Sequence, residues 1–152
     1  MVTSVRYAAP GWGVGELWLE EKRLVHHELP VAGATPNGSH PLAERLSAYF
    51  SGEDVAFDDV ALDLDGWTPF QRAAAAALRS LRRGEVVTYG ELAALAGHPG
   101  AQRAAGSFCA RNRFPIVVPC HRVVAADGLG SYGSLGVAYK RRLLELEGAA
   151  LG

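Results

Sequence analysis

Apolar positions along the chain change period near its middle. In the first half they recur at every second residue. Residues 2–8 form a short β-favouring run, and residues 16–19 and 24–29 flank the polar step 20–23 as the two arms of a hairpin. Gly11, Gly13 and Gly15 make the approach to that hairpin rich in turns. Residues 30–40 (PVAGATPNGSH) are loop. Leu42, Leu46, Tyr49 and Phe50 fall at helical spacing and predict a helix over 41–51. Residues 55–64 alternate Phe57, Val60, Leu62 and Leu64 with aspartates, which predicts an edge or half-exposed strand.

After Gly66 the pattern becomes helical. Thr68-Pro69-Phe70-Gln71 is a capping box with proline at the first helical position, and the alanine-rich residues 72–81 continue that helix. Thr88-Tyr89-Gly90-Glu91 is a second capping box, opening a short helix that stops at Gly97. His98-Pro99 introduces another helix over 100–111. Two short helices across a tight turn read as a helix-turn-helix. Residues 114–118 (FPIVV) are a strand-like apolar run, 127–136 a Gly-rich loop, and 137–146 a last helix ending at Gly148. The predicted organisation is mixed α and β, with an α/β domain over 1–66 and a helical domain over 67–152.

At 152 residues and 49% apolar composition, the chain can bury a core in one domain or two small ones, which excludes disorder. No apolar run reaches ~18 residues, so no membrane span is expected. The first 13 residues lack the basic start and continuous apolar stretch of a signal peptide, which predicts a cytoplasmic location. The net charge of -1 conceals a split: residues 1–67 carry 4 Lys and Arg against 11 Asp and Glu, and residues 68–152 carry 11 against 5. A basic back half hints at a polyanion partner. Its cations are nearly all arginine. A high-GC genome would bias codons that way, although arginine also suits phosphate contacts.

The two cysteines, Cys109 and Cys120, form no Cys-x-x-Cys pair, and the five histidines do not cluster with both thiols. Reduced thiols, no metal and no cofactor are therefore expected. Cys120 sits between Pro119 and His121, with Arg122 next. A thiol with a pKa near ~8.5 is only slightly ionised at neutral pH, and an adjacent base or cation raises its nucleophilicity. Neighbours on a regular strand point to opposite faces, so His121 can serve Cys120 only if the backbone kinks, for which Pro119 supplies a cause. Taken alone, a Cys-His pair is more often a buried thiol beside a satisfied histidine.

The segments VVTYGELAALAGHPGAQRAAGSFCARN (86–112), FPIVVPCHRVVAADGLGSY (114–132) and KRRLLELEG (140–148) widen the motif. Together they resemble the O6-alkylguanine-DNA alkyltransferase family over residues 70–148, about half of the chain, with matching spacings. PCHRV at 119–123 is highly specific to it. The resemblance implies a small RNase H-like α/β domain followed by a helical, winged-helix-like domain holding the helix-turn-helix. It implies a monomer without cofactor that binds double-stranded DNA through the minor groove and flips a nucleotide out. The alkyl group of O6-alkylguanine, and by extension O4-alkylthymine, then passes irreversibly to the protein's own cysteine. A rival with the same fold is a sensor that binds lesions and recruits other repair factors without transfer.

Residue by residue, the resemblance makes Cys120 the acceptor thiol, His121 its water-mediated base and Glu147 the orienting carboxylate. Asn112 would hold the turn bearing the cysteine, and Tyr89 would donate a hydrogen bond to the departing base. Arg103 would be the finger that replaces the flipped nucleotide. Ala101, Gln102, Ala104, Gly106, Ser107, Arg111 and Arg122 would complete the DNA contacts. The base pocket would be lined by Tyr89, Pro115, Val123, Tyr132, Gly133, Ser134 and Leu135. An Ala- and Gly-rich face suits close approach to a minor groove about 6 Å wide. By pattern alone, it suits packing on another helix slightly better. Two departures stand out: Ser134 replaces a glycine in the loop, and Cys109 takes a position where the family often has methionine or asparagine. The other basic residues, Lys140, Arg141 and Arg142 among them, are expected to be general phosphate attraction or solvated charge.

Overall fold

A computed structural model describes residues 1–150. The chain is a mixed α+β protein that divides into two compact units. One is Met1–Asp63 together with Arg113–Pro115, and the other is Leu64–Asn112 with the chain from Ile116 onward.

The first unit is an antiparallel sheet in the order β1 (Val2–Ala9), β2 (Gly13–Glu20), β3 (Arg23–Val31), with helix α1 (Pro41–Phe50) against β1. Gly15, Leu17 and Leu19 of β2 are buried in strict alternation. In β3 the alternation breaks. Trp18 pairs with His26 but Leu19 pairs with Leu24, so Val25 is an extra residue, and the shift brings Leu24, His27 and Leu29 all to the buried side. The outer edge of β3 is covered without a fourth strand: Leu24 bonds to Ala61 and Asp63 (2.8 and 2.9 Å), and the His27 amide to the Arg113 carbonyl (2.9 Å). The strand expected over 55–64 is therefore a single bridge, Leu24 to Leu62. Of its alternating apolar residues Phe57 is buried, and only Leu62 enters a ladder position. Helix α1 is fastened by the Ser47 hydroxyl to the Ala8 carbonyl and by the Trp12 indole N–H to the Phe50 carbonyl at 3.0 Å.

The second unit contains α2 (Pro69–Arg79), β4 (Val87–Thr88), α3 (Tyr89–Leu95), α4 (Gln102–Ala110), β5 (Val123–Val124) and α5 (Gly136–Leu146). Both capping boxes form: Thr68 with Gln71 at 2.9 and 3.1 Å, and Thr88 with Glu91 at the same distances. Helices α3 and α4 pack together as the helix-turn-helix. Helix α4 starts at Gln102 rather than near 100, because Gly100 takes φ 88° and Ala101 caps the helix with no side-chain bond. Its buried face is Ala105 and Phe108. The strand-like run at 114–118 forms no strand, since Ile116 at φ 73° reverses the chain within it. A parallel pairing of only two residues each, Val87 with Val123 and Thr88 with Val124, lies below what periodicity detects. Among the described residues no helix is long and apolar enough to cross a membrane.

Candidate active site

Cys120 is carried by consecutive tight turns. Pro119 (φ -80°, ψ 69°) centres an inverse γ-turn closed by the Cys120 amide on the Val118 carbonyl at 2.8 Å. A 3-10 turn over Cys120–Arg122 follows, its Arg122 amide bonded to the Pro119 carbonyl at 3.0 Å. This is the kink that releases His121 from the opposite-face rule. Asn112 Nδ2 donates to the same Val118 carbonyl at 2.7 Å, so the turn is held from inside the unit. The Cys120 thiol is buried, and burial pushes its pKa up against the hydrogen bonds of Asn112 and Tyr132 and the positive charge of Lys140, which lower it. So buried, it is a protonated thiol that needs a base.

The base is adjacent. His121 is fully buried, and its Nε2–H donates to Glu147 Oε2 at 2.8 Å. Its Nδ1 is buried with no hydrogen-bond partner in the structure. Burial lowers the His121 pKa, Arg122 and Lys140 lower it further, and only Glu147 pulls the other way. The imidazole is therefore neutral, and its Nδ1 lone pair is available to a proton. Glu147 also accepts from Arg122 through both oxygens, Nε to Oε1 and Nη2 to Oε2, each at 2.9 Å. Burial alone would raise this carboxyl, but the bonds and charges of His121 and Arg122 outweigh it and hold it far below the usual carboxylate range.

Cys120 opens onto a small pocket of about 30 Å³ lined by Tyr89, Gly106, Cys109, Ala110, Ser131, Tyr132 and Gly133. Its walls come from the start of α3, the middle of α4 and the Gly-rich loop. Glycine is required at 130, where a Cβ would stand 3.0 Å from the Tyr89 hydroxyl. Lys140 of α5 is also fully buried here, with Nζ donating to the Ser131 carbonyl at 3.3 Å and lying 5.7 Å from the centre of the Tyr89 ring.

The expected residues thus sort into groups. Cys120, His121, Glu147, Asn112 and Tyr89 come together around one turn and pocket, with Tyr132 and Gly133 beside them. Ser134 and Leu135 are exposed beyond the pocket, and Val123 is buried in β5 outside its lining. Pro115 belongs to the first unit, where its carbonyl accepts from His27 Nδ1 at 2.7 Å. Gln102, Arg103, Ala104, Ser107 and Arg111 are exposed, whereas Gly106 reaches the pocket and Ala101 precedes the helix. Two readings change. Arg122 is not offered to phosphate, because its guanidinium is spent on Glu147 and on the Leu81 carbonyl at 2.9 Å. Lys140 is not a solvated cation. It shares a helical face with buried Leu143 and Leu144. Cys109 and Ser131 were missed as pocket residues, and no local signal marks them.

A family model described as the DNA binding domain of 6-O-methylguanine DNA methyltransferase matches residues 69–149. A methylated-DNA--protein-cysteine methyltransferase of Methanopyrus kandleri is 49% identical over 126 residues, 80% of this chain and 92% of that protein. One from Methanothermobacter thermautotrophicus is 40% identical over 116 residues, 76% of this chain and 65% of its own length. Among solved structures, Mycobacterium tuberculosis OGT in complex with DNA superposes with a TM-score of 0.79 at 37% identity, covering 95% of this chain and 92% of that one.

Proposed function

The chain belongs to the 6-O-methylguanine DNA methyltransferase family, and from that premise we propose that it repairs DNA by taking the alkyl group of O6-alkylguanine onto Cys120. The observation that carries this reading is the buried Cys120 thiol at a pocket, next to a neutral histidine whose far nitrogen is tied to Glu147.

A base inside a duplex is out of reach, so the damaged nucleotide is extruded at a cost of a few kcal/mol. Arg103, exposed near the start of α4, is suited to fill the gap it leaves. Cys120 gives its proton towards His121 Nδ1 through a water molecule. Its sulfur then attacks the alkyl carbon, forming an S–C bond as the C–O6 bond breaks. The guanine departs with the electron pair of that bond, met by a hydrogen bond from the Tyr89 hydroxyl, and ends by taking the proton that the thiol gave up. The thioether has no hydrolytic exit, so one molecule of protein is consumed per lesion. O4-alkylthymine presents a comparable oxygen-bound alkyl group. The reaction needs a reduced thiol, as a cytosolic setting provides.

Incubation with duplex DNA containing O6-methylguanine, followed by intact and peptide mass measurement, tests this. One methyl on Cys120 and no further turnover is the expected result. Lesion binding without a mass change would make the protein a sensor instead.

A further inference from the structure

Glu147 binds both His121 and Arg122 in a dry site. The side chains of His121 and Glu147 are 0% and 1% exposed and that of Arg122 is 13% exposed. His121 takes one hydrogen bond, at Oε2. Arg122 takes the carboxylate as a fork, one nitrogen on each oxygen, and anchors its remaining Nη1 on the Leu81 carbonyl. Forked arginine–carboxylate pairs are strong and strictly oriented. A buried carboxylate with imidazole as sole partner favours the imidazolium, and an imidazolium cannot accept the proton of a thiol.

We propose that Arg122 is a positioning residue for alkyl transfer: by engaging both oxygens of Glu147 it makes that carboxylate a hydrogen-bond acceptor that fixes His121 with Nδ1 unprotonated, rather than a counter-ion that would keep His121 charged. The inference rests on the alkyl-transfer reading of the site. The charges around His121 support it. Arg122 lies on its own turn, Glu147 at the end of α5 and Lys140 within α5, the Cys120 thiol precedes His121 in the chain, and Arg83 sits on the Leu146 carbonyl beside Glu147. Glu147 and Arg122 offset one another, and Lys140 adds a further positive charge, so a proton on His121 would be added to surroundings that are already positive. Burial holds the histidine below its ordinary pKa in spite of its carboxylate partner, and the charges of Arg122 and Lys140 lower it further.

Single-turnover methyl transfer from O6-methylguanine duplex is followed between pH 5.5 and 8.5 for the wild type, Arg122→Gln and Arg122→Lys. In Arg122→Gln the rate ratio between pH 8 and pH 6 grows about tenfold over wild type, one decade for each step of pH over which the histidine becomes charged. Arg122→Lys, which keeps the charge but cannot fork onto both oxygens, restores the wild-type ratio only in part. A loss of rate equal at every pH, or no loss, overturns the proposal. Nitrogen NMR of His121 in the wild-type protein decides the case even if Arg122→Gln does not fold: the neutral Nε2–H form is expected down to pH 5.5, and an imidazolium at pH 6 to 7 overturns it. A wild-type protein that transfers no methyl at all refutes the alkyl-transfer reading instead, and the NMR result stands apart from that.

Discussion

Glu147 shows how one side chain acquires a meaning that its position in the chain does not reveal. Read as the orienter of His121, it invites Glu147→Gln as a mild substitution that slows transfer only. With Arg122 forked onto it, the same change leaves a half-buried guanidinium without its anion. Loss of one partner of a buried ion pair costs about 3–5 kcal/mol. Glu147→Gln should therefore slow methyl transfer and also lower stability by an amount in that range, seen in a urea titration. Its DNA affinity should stay near wild type, since Glu147 is buried at the end of α5 and the exposed face of α4 is untouched. An unchanged urea midpoint would show that the pair adds nothing to stability. A thiol beside an imidazole is a local pattern, so the sequence singled out Cys120 and His121, and the family resemblance assigned their roles. The partnership of Arg122 was not, because 25 residues separate it from Glu147 and a charge next to a nucleophile reads equally well as a DNA contact.

Among the elements, helices were read better than strands. Each capping box uses a residue and its neighbour three positions on, so both boxes and the helix starts at Pro69 and Tyr89 follow from the sequence alone. Residues 55–64 and 114–118 looked like strands but found no ladder. The first meets β3 at a single residue, and the second turns back at Ile116. Helix α4 combines a buried side of Ala105 and Phe108 with an exposed side of Gln102, Arg103, Ala104 and Ser107, and its Gly106, Cys109 and Ala110 reach the pocket. One short helix thus serves core, pocket and surface together. At this scale Arg103→Ala is informative. If the inserted arginine offsets part of an unstacking cost of a few kcal/mol, its loss should slow repair of duplex DNA about tenfold or more. Reaction with a free O6-alkylguanine base should be nearly unaffected. Equal losses on the two substrates would remove the role assigned to Arg103.

At the scale of the whole molecule, the acidic and basic halves of the sequence fall largely in separate units, with Arg113–Pro115 joining the first. That unit carries a second buried histidine. His27 donates from Nδ1 to the Pro115 carbonyl at 2.7 Å and accepts from the Tyr7 hydroxyl at Nε2 at 2.6 Å, roles set by the carbonyl, which can only accept. Burial lowers its pKa from 6.5 to about 4. The unfolded chain therefore binds a proton at a pH where the folded chain does not. Stability is fully present above pH 6.5 and is lost as pH falls towards 4, by about 3 kcal/mol for this group. Melting curves at pH 7.5 and pH 5 should show about 2 kcal/mol of that loss in the wild type and less in His27→Gln; identical pH dependence in both would clear His27 of the effect. The sequence by itself determined the hairpin and the capped helices, and it singled out the Cys120–His121 pair. All of these rest on interactions between residues a few positions apart. Only the tertiary structure decided that Arg122 belongs to Glu147, that Lys140 is buried beside Tyr89, and that Cys109 and Ser131 share a pocket with Cys120. Those groupings join segments tens of residues apart, and their energies depend on the exclusion of water, which no local spacing encodes.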